Sequence, residues 1–303
     1  AAFAAINPQI LGLFHDDGVY AVVAKGLADG EGYRIGSLPT EPAQTKYPFF
    51  YSALLSLIWR AAPQFPANIV FLKSLNAAIL LAIFFISVVY FQRGRKGGDG
   101  VFAPVAFAAI VCTNPLIFSF TDYVLSELLL VLLSVAMLAA CRYVNGDAKS
   151  RGIISIAAIA GLACLTRMAA LPLAVAMRFA AAVAGFLHAY LSRGGRGGAW
   201  FVGVFLALVV PWFLWVSGSS GEIARGSLFD YYVGYDFTGG RGGGLAALLD
   251  IVAGNARYLA ESFQMLYLTS LLPGLAIVLA AITALGMSQS RARDDAVTWG
   301  FLI

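Results

Sequence analysis

The sequence predicts an all-α polytopic membrane protein, a bundle of transmembrane helices whose outer-face loops carry interfacial helices. Three observations predict it. Hydrophobic residues make up 60% of the 303 residues and charged residues only 12%, with a mean hydropathy of +0.81, so a water-soluble core is a poor explanation. Several apolar runs approach or exceed the ~20 residues that a helix needs to cross a bilayer. Inside lipid every backbone polar group has to be paired within the protein, which makes helices the natural solution. The 32 glycines, together with many alanines, suit helices that pack closely through small residues.

Taken in order, the predicted spans are 1–14 (partial), 67–92, 100–119, 122–144, 152–166, 169–190, 199–216, 270–287 and 296–303 (partial), within a single transmembrane domain, 1–303. The chain reads as truncated at both ends, because 1–14 is too short to span and "AVTWGFLI" looks like the start of another span. The connections "RGRKGG" (93–98), "CRYVNGDAKSR" (141–151), "LSRGGRGG" (191–198) and "SQSRARDD" (288–295) are short and basic. They fall at every second connection, which the positive-inside rule assigns to the cytoplasm. The two long loops, 15–66 and 217–269, then share the outer side. The net charge of +4 reflects this topology and gives no sign of a nucleic-acid partner. The segment "PFFYSALLSLIW" (48–59) tests the scheme, since a crossing there would invert every later basic loop. At 12 residues, between Pro48 and Pro63, it reads as an interfacial or re-entrant helix.

Several chemistries are disfavoured. Cys112, Cys141 and Cys164 have no metal-ligand spacing and read as packing residues. Only two histidines exist, so a multi-histidine metal site is excluded. The stretch "GGRGGG" (239–244) lacks the lysine and hydroxyl of a phosphate loop. No internal repeat is visible, which weakens an inverted-repeat transporter.

The outer loops should therefore hold the chemistry. In "HDDGVYAVVAKGLADG" (15–30), Val19, Val23 and Leu27 form one helical stripe, and Asp17, Ala21 and Lys25 another. Asp16 or Asp17 stands where an N-cap belongs, and Gly30 where a left-handed C-cap belongs. A single aspartate suffices for capping, so the second is left over. In the second loop, "LAALLDIVAGNARYLAES" (245–262) has helical spacing, and Asp236, Arg241 and Tyr258 stand either in an ordinary interfacial segment or in an acceptor-side wall. Asp122 and Glu127 lie at the outer end of a span, Glu127 about one turn inside it, where a carboxylate is a functional hypothesis by default and Glu127 serves either site lining or helix–helix pairing. Arg178 falls near mid-span with no catalytic account.

The order of these elements resembles the N-terminal part of polytopic GT-C glycosyltransferases, in particular the lipid A aminoarabinose transferase and protein O-mannosyltransferase group. The resemblance rests on a membrane helix followed by "HDDGVYAVVAKGLADGEGY", then "TKYPFFYSALLSLIW", then a span ending in "RGRKGG". Further along, "TDYVLSELLLVLLSVAML" (121–138) is similar to the family's span with a hydroxyl-and-glutamate entrance, and "GLACLTRMAALPLAV" (161–175) to its threonine-and-base turn. It departs from the family where Tyr47 separates Lys46 from Pro48.

What the resemblance implies is a GT-C-like helix bundle that passes a sugar from a polyprenyl-phosphate donor to an acceptor hydroxyl of a lipid, glycan or protein. The site would face the exterior or periplasm of a bacterial inner membrane. It implies Asp16 as general base with Asp17 as support or N-cap, Lys46 and then Arg167 as cations for the donor phosphate, and Tyr20, Asp122 and Glu127 as site lining; an interfacial snorkeller is the alternative for Arg167, and the acceptor-wall reading of the second loop adds Tyr258. No cofactor is called for. A divalent metal at His15 and the aspartates is the lesser alternative, because adjacent ligands on a helix diverge. A polytopic lipid or solute transporter, or flippase, is the alternative function.

Overall fold

The computed structural model describes residues 2–93, 101–144, 150–168 and 196–219. The predicted spans 169–190, 270–287 and 296–303, the second outer loop from residue 220 onward with Tyr258, and Arg178 lie outside the described residues.

All regular structure among the described residues is helical apart from one isolated bridge between Arg34 and Ala43. A short 3₁₀ turn (Ala2–Ala5) precedes α1 (His15–Asp29) and α2 (Phe50–Ala61). There follow α3 (Ile69–Arg93), α4 (Phe102–Thr113), α5 (Pro115–Ser119), a 3₁₀ turn (Phe120–Asp122), α6 (Glu127–Val144), α7 (Ser150–Thr166) and α8 (Arg196–Ser219). Helix α3 packs on α4 and α6, α6 on α7, and α7 on α8, while α1 and α2 pair with each other. Ile69–Gln92 and Ala199–Ser219 are long and apolar enough to cross a membrane.

The segment 48–59, expected to form a short helix, overlaps α2, whose 12 residues run Phe50–Ala61, and α1 ends at Gly30 as expected. Gly30 takes φ 84° and its N–H bonds the Gly26 carbonyl, the left-handed cap that lacks a Cβ penalty only in glycine. Gly26 is needed for a different reason: a Cβ there would meet the Gly32 carbonyl oxygen at 3.2 Å. Close approach recurs at Gly161, where a Cβ would stand 2.7 Å from Leu208 Cδ1, so α7 and α8 meet backbone to side chain.

Three expectations need correction. The 100–119 segment is not one straight span, because α4 and α5 meet at a 60° bend. Pro115 lacks the N–H that would continue α4, and the Asn114 side chain caps α5 by accepting from the Leu116 N–H. Residues 123–126 are not helical, so the predicted 122–144 helix begins at Glu127, which stands at its first position rather than a turn inside. Nor is the burial of α1 confined to its apolar stripe. The helix buries Asp17, Val19, Tyr20, Ala21, Val23, Ala24 and Gly26, drawing on both predicted stripes, because α2 covers it.

The non-helical stretch before α6 is held by one side chain. Asn76, fully buried on α3, donates from Nδ2 to the carbonyl oxygens of Phe120 (3.3 Å), Tyr123 (2.8 Å) and Leu125 (2.9 Å). Its Oδ1 accepts from the Tyr51 hydroxyl of α2 at 3.1 Å. The Leu125 bond is buried and the other two part-buried, and a buried polar group left unsatisfied costs about 1–3 kcal/mol. Asn76→Ala is therefore expected to lower unfolding free energy by about 2–3 kcal/mol, measured by denaturant titration in mild detergent. A loss under about 0.5 kcal/mol, the range of an ordinary surface substitution, would show that the turn holds itself.

Candidate active site

The polar ends of α1, α3, α6 and α7 meet in one layer under a roof of tyrosines. Tyr20 meets Tyr47 at a 46° tilt with ring centroids 5.0 Å apart and meets Tyr51 edge-on at 5.1 Å, and all three are buried. On the far side, Tyr33 meets Trp212 of α8 edge-on at 6.0 Å, and the Trp215 indole N–H donates to the Gln44 carbonyl at 3.2 Å.

Asp16 and Asp17 occupy the first turn of α1, where carboxylates are favoured by the helix dipole. Neither is the N-cap. Phe14 holds that position with extended φ and ψ and no side-chain cap, which corrects the capping expectation. Asp16 is half-buried, and its Oδ1 accepts a 2.5 Å hydrogen bond from the Tyr47 hydroxyl. The tyrosine that interrupts the expected Lys-Pro pair thus orients the candidate base. Lys46 places its Nζ 5.3 Å above the Tyr47 ring. Burial pushes the Lys46 ammonium below its ordinary value, while the Asp16 charge pulls the other way.

The turn that presents Lys46 and Tyr47 is built around a side chain with no signal in the sequence. Gln44, fully buried, accepts at Oε1 from the backbone N–H of Lys46 (2.7 Å) and Tyr47 (3.3 Å). The Gln44 backbone N–H donates to the Tyr33 carbonyl at 2.9 Å, next to the bridge between Arg34 and Ala43.

Asp17 is 1% exposed and points the other way. Its Oδ2 accepts from the Gly12 N–H at 3.1 Å, while Oδ1 is buried and takes no hydrogen bond from the described residues. Burial pushes its carboxyl above the ordinary 3.8, against the opposing pull of the Gly12, Gly18 and Leu13 N–H groups and the Lys73 charge. The folded chain therefore keeps the Asp17 proton to higher pH than the unfolded chain does. Stability from the protonated form is fully present below the unfolded value and is lost as pH rises through the folded one. Asp17→Asn has no such titration, so its melting temperature relative to wild type is expected to climb as pH rises from the ordinary carboxylate range through the raised folded value. A constant difference across that range would contradict the assignment.

Two ion pairs complete the layer. Lys73, 1% exposed near the start of α3, pairs with Asp122 Oδ1 at 3.0 Å and donates to the Asn7 carbonyl at 2.7 Å. Asp122 Oδ1 also accepts the Asn7 N–H at 2.6 Å, so the segment before α1 is tied to the turn before α6. Arg167, just past the end of α7, pairs through Nη1 with Glu127 Oε1 at the start of α6. Beside them the Tyr20 hydroxyl shares a 2.9 Å hydrogen bond with Ser126 Oγ. Burial drives the Tyr20 hydroxyl well above its usual range, with the charges of Arg167, Glu127 and Asp16 acting on it as well.

The structure thus brings Asp16, Tyr20 and Lys46 together and sets Glu127 and Arg167 within electrostatic reach of Tyr20. It ties Asp122 to Lys73 and Asn7, and Tyr258 lies outside the described residues. Sequence reading missed Lys73, Asn76, Gln44 and the Tyr47–Asp16 bond. Of these only Lys73, a charge inside an apolar run, carried a signal. Among the described residues no group of three His, Cys, Asp or Glu side chains could hold a metal ion.

No family model matches the chain, and no curated protein sequence matches it either. Among solved structures it is similar to the crystal structure of ArnT from Cupriavidus metallidurans bound to undecaprenyl phosphate, with a TM-score of 0.55 and 16% identity. The likeness covers 92% of this chain and 49% of that one, so the chain spans about half the length of the protein it resembles. At this identity the likeness is one of fold: the chain has an ArnT-like arrangement of apolar helices.

Proposed function

We propose that this protein is a membrane-embedded glycosyltransferase that moves a sugar from a polyprenyl-phosphate donor to an acceptor hydroxyl at the outer surface of a bacterial inner membrane. The observation that carries the reading is the placement of Asp16, oriented by Tyr47, beside Lys46 in the layer where the helix ends meet. The ArnT-like fold supports it, and that neighbour was crystallised with undecaprenyl phosphate. A transporter would place its charges near the bilayer midplane, whereas the pairs described above lie at helix ends.

In the proposed step the acceptor oxygen bonds to the anomeric carbon as the bond from that carbon to the phosphate oxygen breaks. The hydroxyl proton passes to Asp16, and the electron pair leaves with the polyprenyl phosphate. A carboxylate held at the lipid boundary suits the first task. The Tyr47 hydrogen bond fixes one oxygen, and a carboxylate retains further acceptor capacity for the incoming hydroxyl. The phosphate gains negative charge as it leaves, so a fixed cation lowers the barrier. Lys46 takes that role first and Arg167 second. Asp17 supports the base by holding Gly12, and Tyr20, Asp122, Glu127 and Tyr258 are assigned to the walls.

Binding can be tested apart from chemistry. In nanodiscs, a panel of polyprenyl-phosphate sugars is expected to contain one donor that raises the melting temperature, because a ligand of the native state stabilises by mass action. Lys46→Ala is expected to lose that shift at unchanged unliganded stability. No shift with any donor would count against the reading.

A further inference from the structure

We infer that Glu127 is an internal competitor for the Arg167 anion site, holding the guanidinium until a phosphate headgroup displaces it. The inference rests on the proposed phosphate role of Arg167 and adds how that site selects its ligand.

The two residues face each other from fixed supports. Arg167 continues the last turn of α7, its N–H bonding the Ala163 carbonyl at 3.0 Å, and Glu127 is the first residue of α6. The side chains are 27% and 33% exposed, so the pair is open to a ligand. The contact is one-sided: Nη1 meets Oε1, whereas Oε2 is buried and takes no hydrogen bond from the described residues. A bidentate guanidinium–carboxylate pair would satisfy both oxygens and hold more firmly. A carboxylate left half-satisfied is the weaker occupant, and a phosphate offers the guanidinium more charge and more acceptor oxygens. Tyr20 links this pair to the candidate base: its hydroxyl bonds Ser126, the residue before Glu127, and its ring meets that of Tyr47, whose hydroxyl donates to Asp16.

Such a competitor tunes affinity. Any anion must displace Glu127 before it gains Arg167, so headgroups that offer only weak contacts are disfavoured. It also keeps Arg167 pointed into the site while the site is empty.

The test compares affinity for a polyprenyl monophosphate among wild type, Glu127→Gln, Arg167→Gln and the double variant, in nanodiscs, with melting temperatures recorded alongside. Glu127→Gln is expected to bind about two- to fivefold tighter, the range that a partly exposed ion pair is worth. Arg167→Gln is expected to bind more weakly, and the gain from Glu127→Gln is expected to vanish in the double variant. Inorganic phosphate, used to displace the lipid, is expected to gain in the same ratio, because the competition is for the guanidinium. A gain confined to the lipid would overturn the inference. So would weaker or unchanged binding by Glu127→Gln, or a gain that survives loss of Arg167. If Glu127→Gln melts too low to measure, Glu127→Asp, one methylene short, is expected to shift affinity the same way, and its failure to do so would equally overturn the inference. Weakening by Lys46→Ala without any effect at Glu127 would remove the competitor and leave the glycosyltransferase reading standing. Absence of any polyprenyl-phosphate binding by wild type would remove both.

Discussion

Asp16→Asn is expected to reduce sugar transfer by roughly a hundredfold to ten-thousandfold, the contribution typical of a positioned general base. The substitution keeps the shape of the side chain, and an amide oxygen can still accept the Tyr47 hydroxyl hydrogen. What it removes is the ability to take a proton. Folding should therefore survive, and donor binding, assigned to Lys46 and Arg167, should change little. A fall in turnover with a nearly constant KM for the donor is the expected pattern, since an interaction made only in the transition state has been lost. Tyr47→Phe is the informative companion. It leaves the carboxylate in place but unoriented, so its loss should be the smaller of the two.

Lys73→Ala is expected to be the most damaging single change to stability. Lys73 is 1% exposed and joins three parts of the chain: α3, the turn bearing Asp122, and the Asn7 segment 66 residues away. Removing one partner of a buried pair leaves the other uncompensated, at a cost of about 3–5 kcal/mol when both are fully buried. Asp122 is 31% exposed, so solvent recovers part of that and about 2–4 kcal/mol is expected. Replacing both charges together should be milder. Lys73→Met with Asp122→Asn is expected to regain most of the loss, since a well-packed apolar replacement can match an ion pair in a low-dielectric setting. Denaturant titration of the single and double variants decides it. A double variant as unstable as Lys73→Ala alone would mean that the lysine acts chiefly through the Asn7 carbonyl.

The elements that sequence reading placed well are those fixed by local composition. Long apolar runs became α3 and α8, and the short run between prolines became the 12-residue α2. Gly30 ended α1 because only a residue without a Cβ takes its φ of 84° cheaply. Hydropathy is blind to direction, which is why 100–119 read as one span although Asn114 and Pro115 bend it by 60°. The "NP" pair was a turn signal that an apolar run concealed. Glu127 was misplaced by a turn for a non-local reason: Asn76, over 40 residues earlier in the chain, takes the carbonyls that would otherwise have continued the helix.

The candidate site was legible only in part for the same reason. An acidic pair after an apolar run is visible in one dimension, so Asp16 and Asp17 stood out. Their division of labour was not. Asp16 meets Tyr47 across 31 residues, while Asp17 turns to Gly12, only five residues back. Tyr20 finds Ser126 across 106 residues, and Asn7 finds Asp122 across 115. Pairings of that range depend on how the helices pack, and periodicity carries no information about them.

The central claim is that this layer transfers a sugar from a lipid-borne phosphate. The most direct measurement incubates the nanodisc-embedded protein with isotopically labelled polyprenyl-phosphate sugars and a membrane extract supplying acceptors, following label into acceptor and release of polyprenyl phosphate together. Wild type is expected to consume one donor with matching appearance of labelled product, and Asp16→Asn to consume almost none while melting normally. Consumption of no donor by wild type, or equal consumption by Asp16→Asn, would contradict the account.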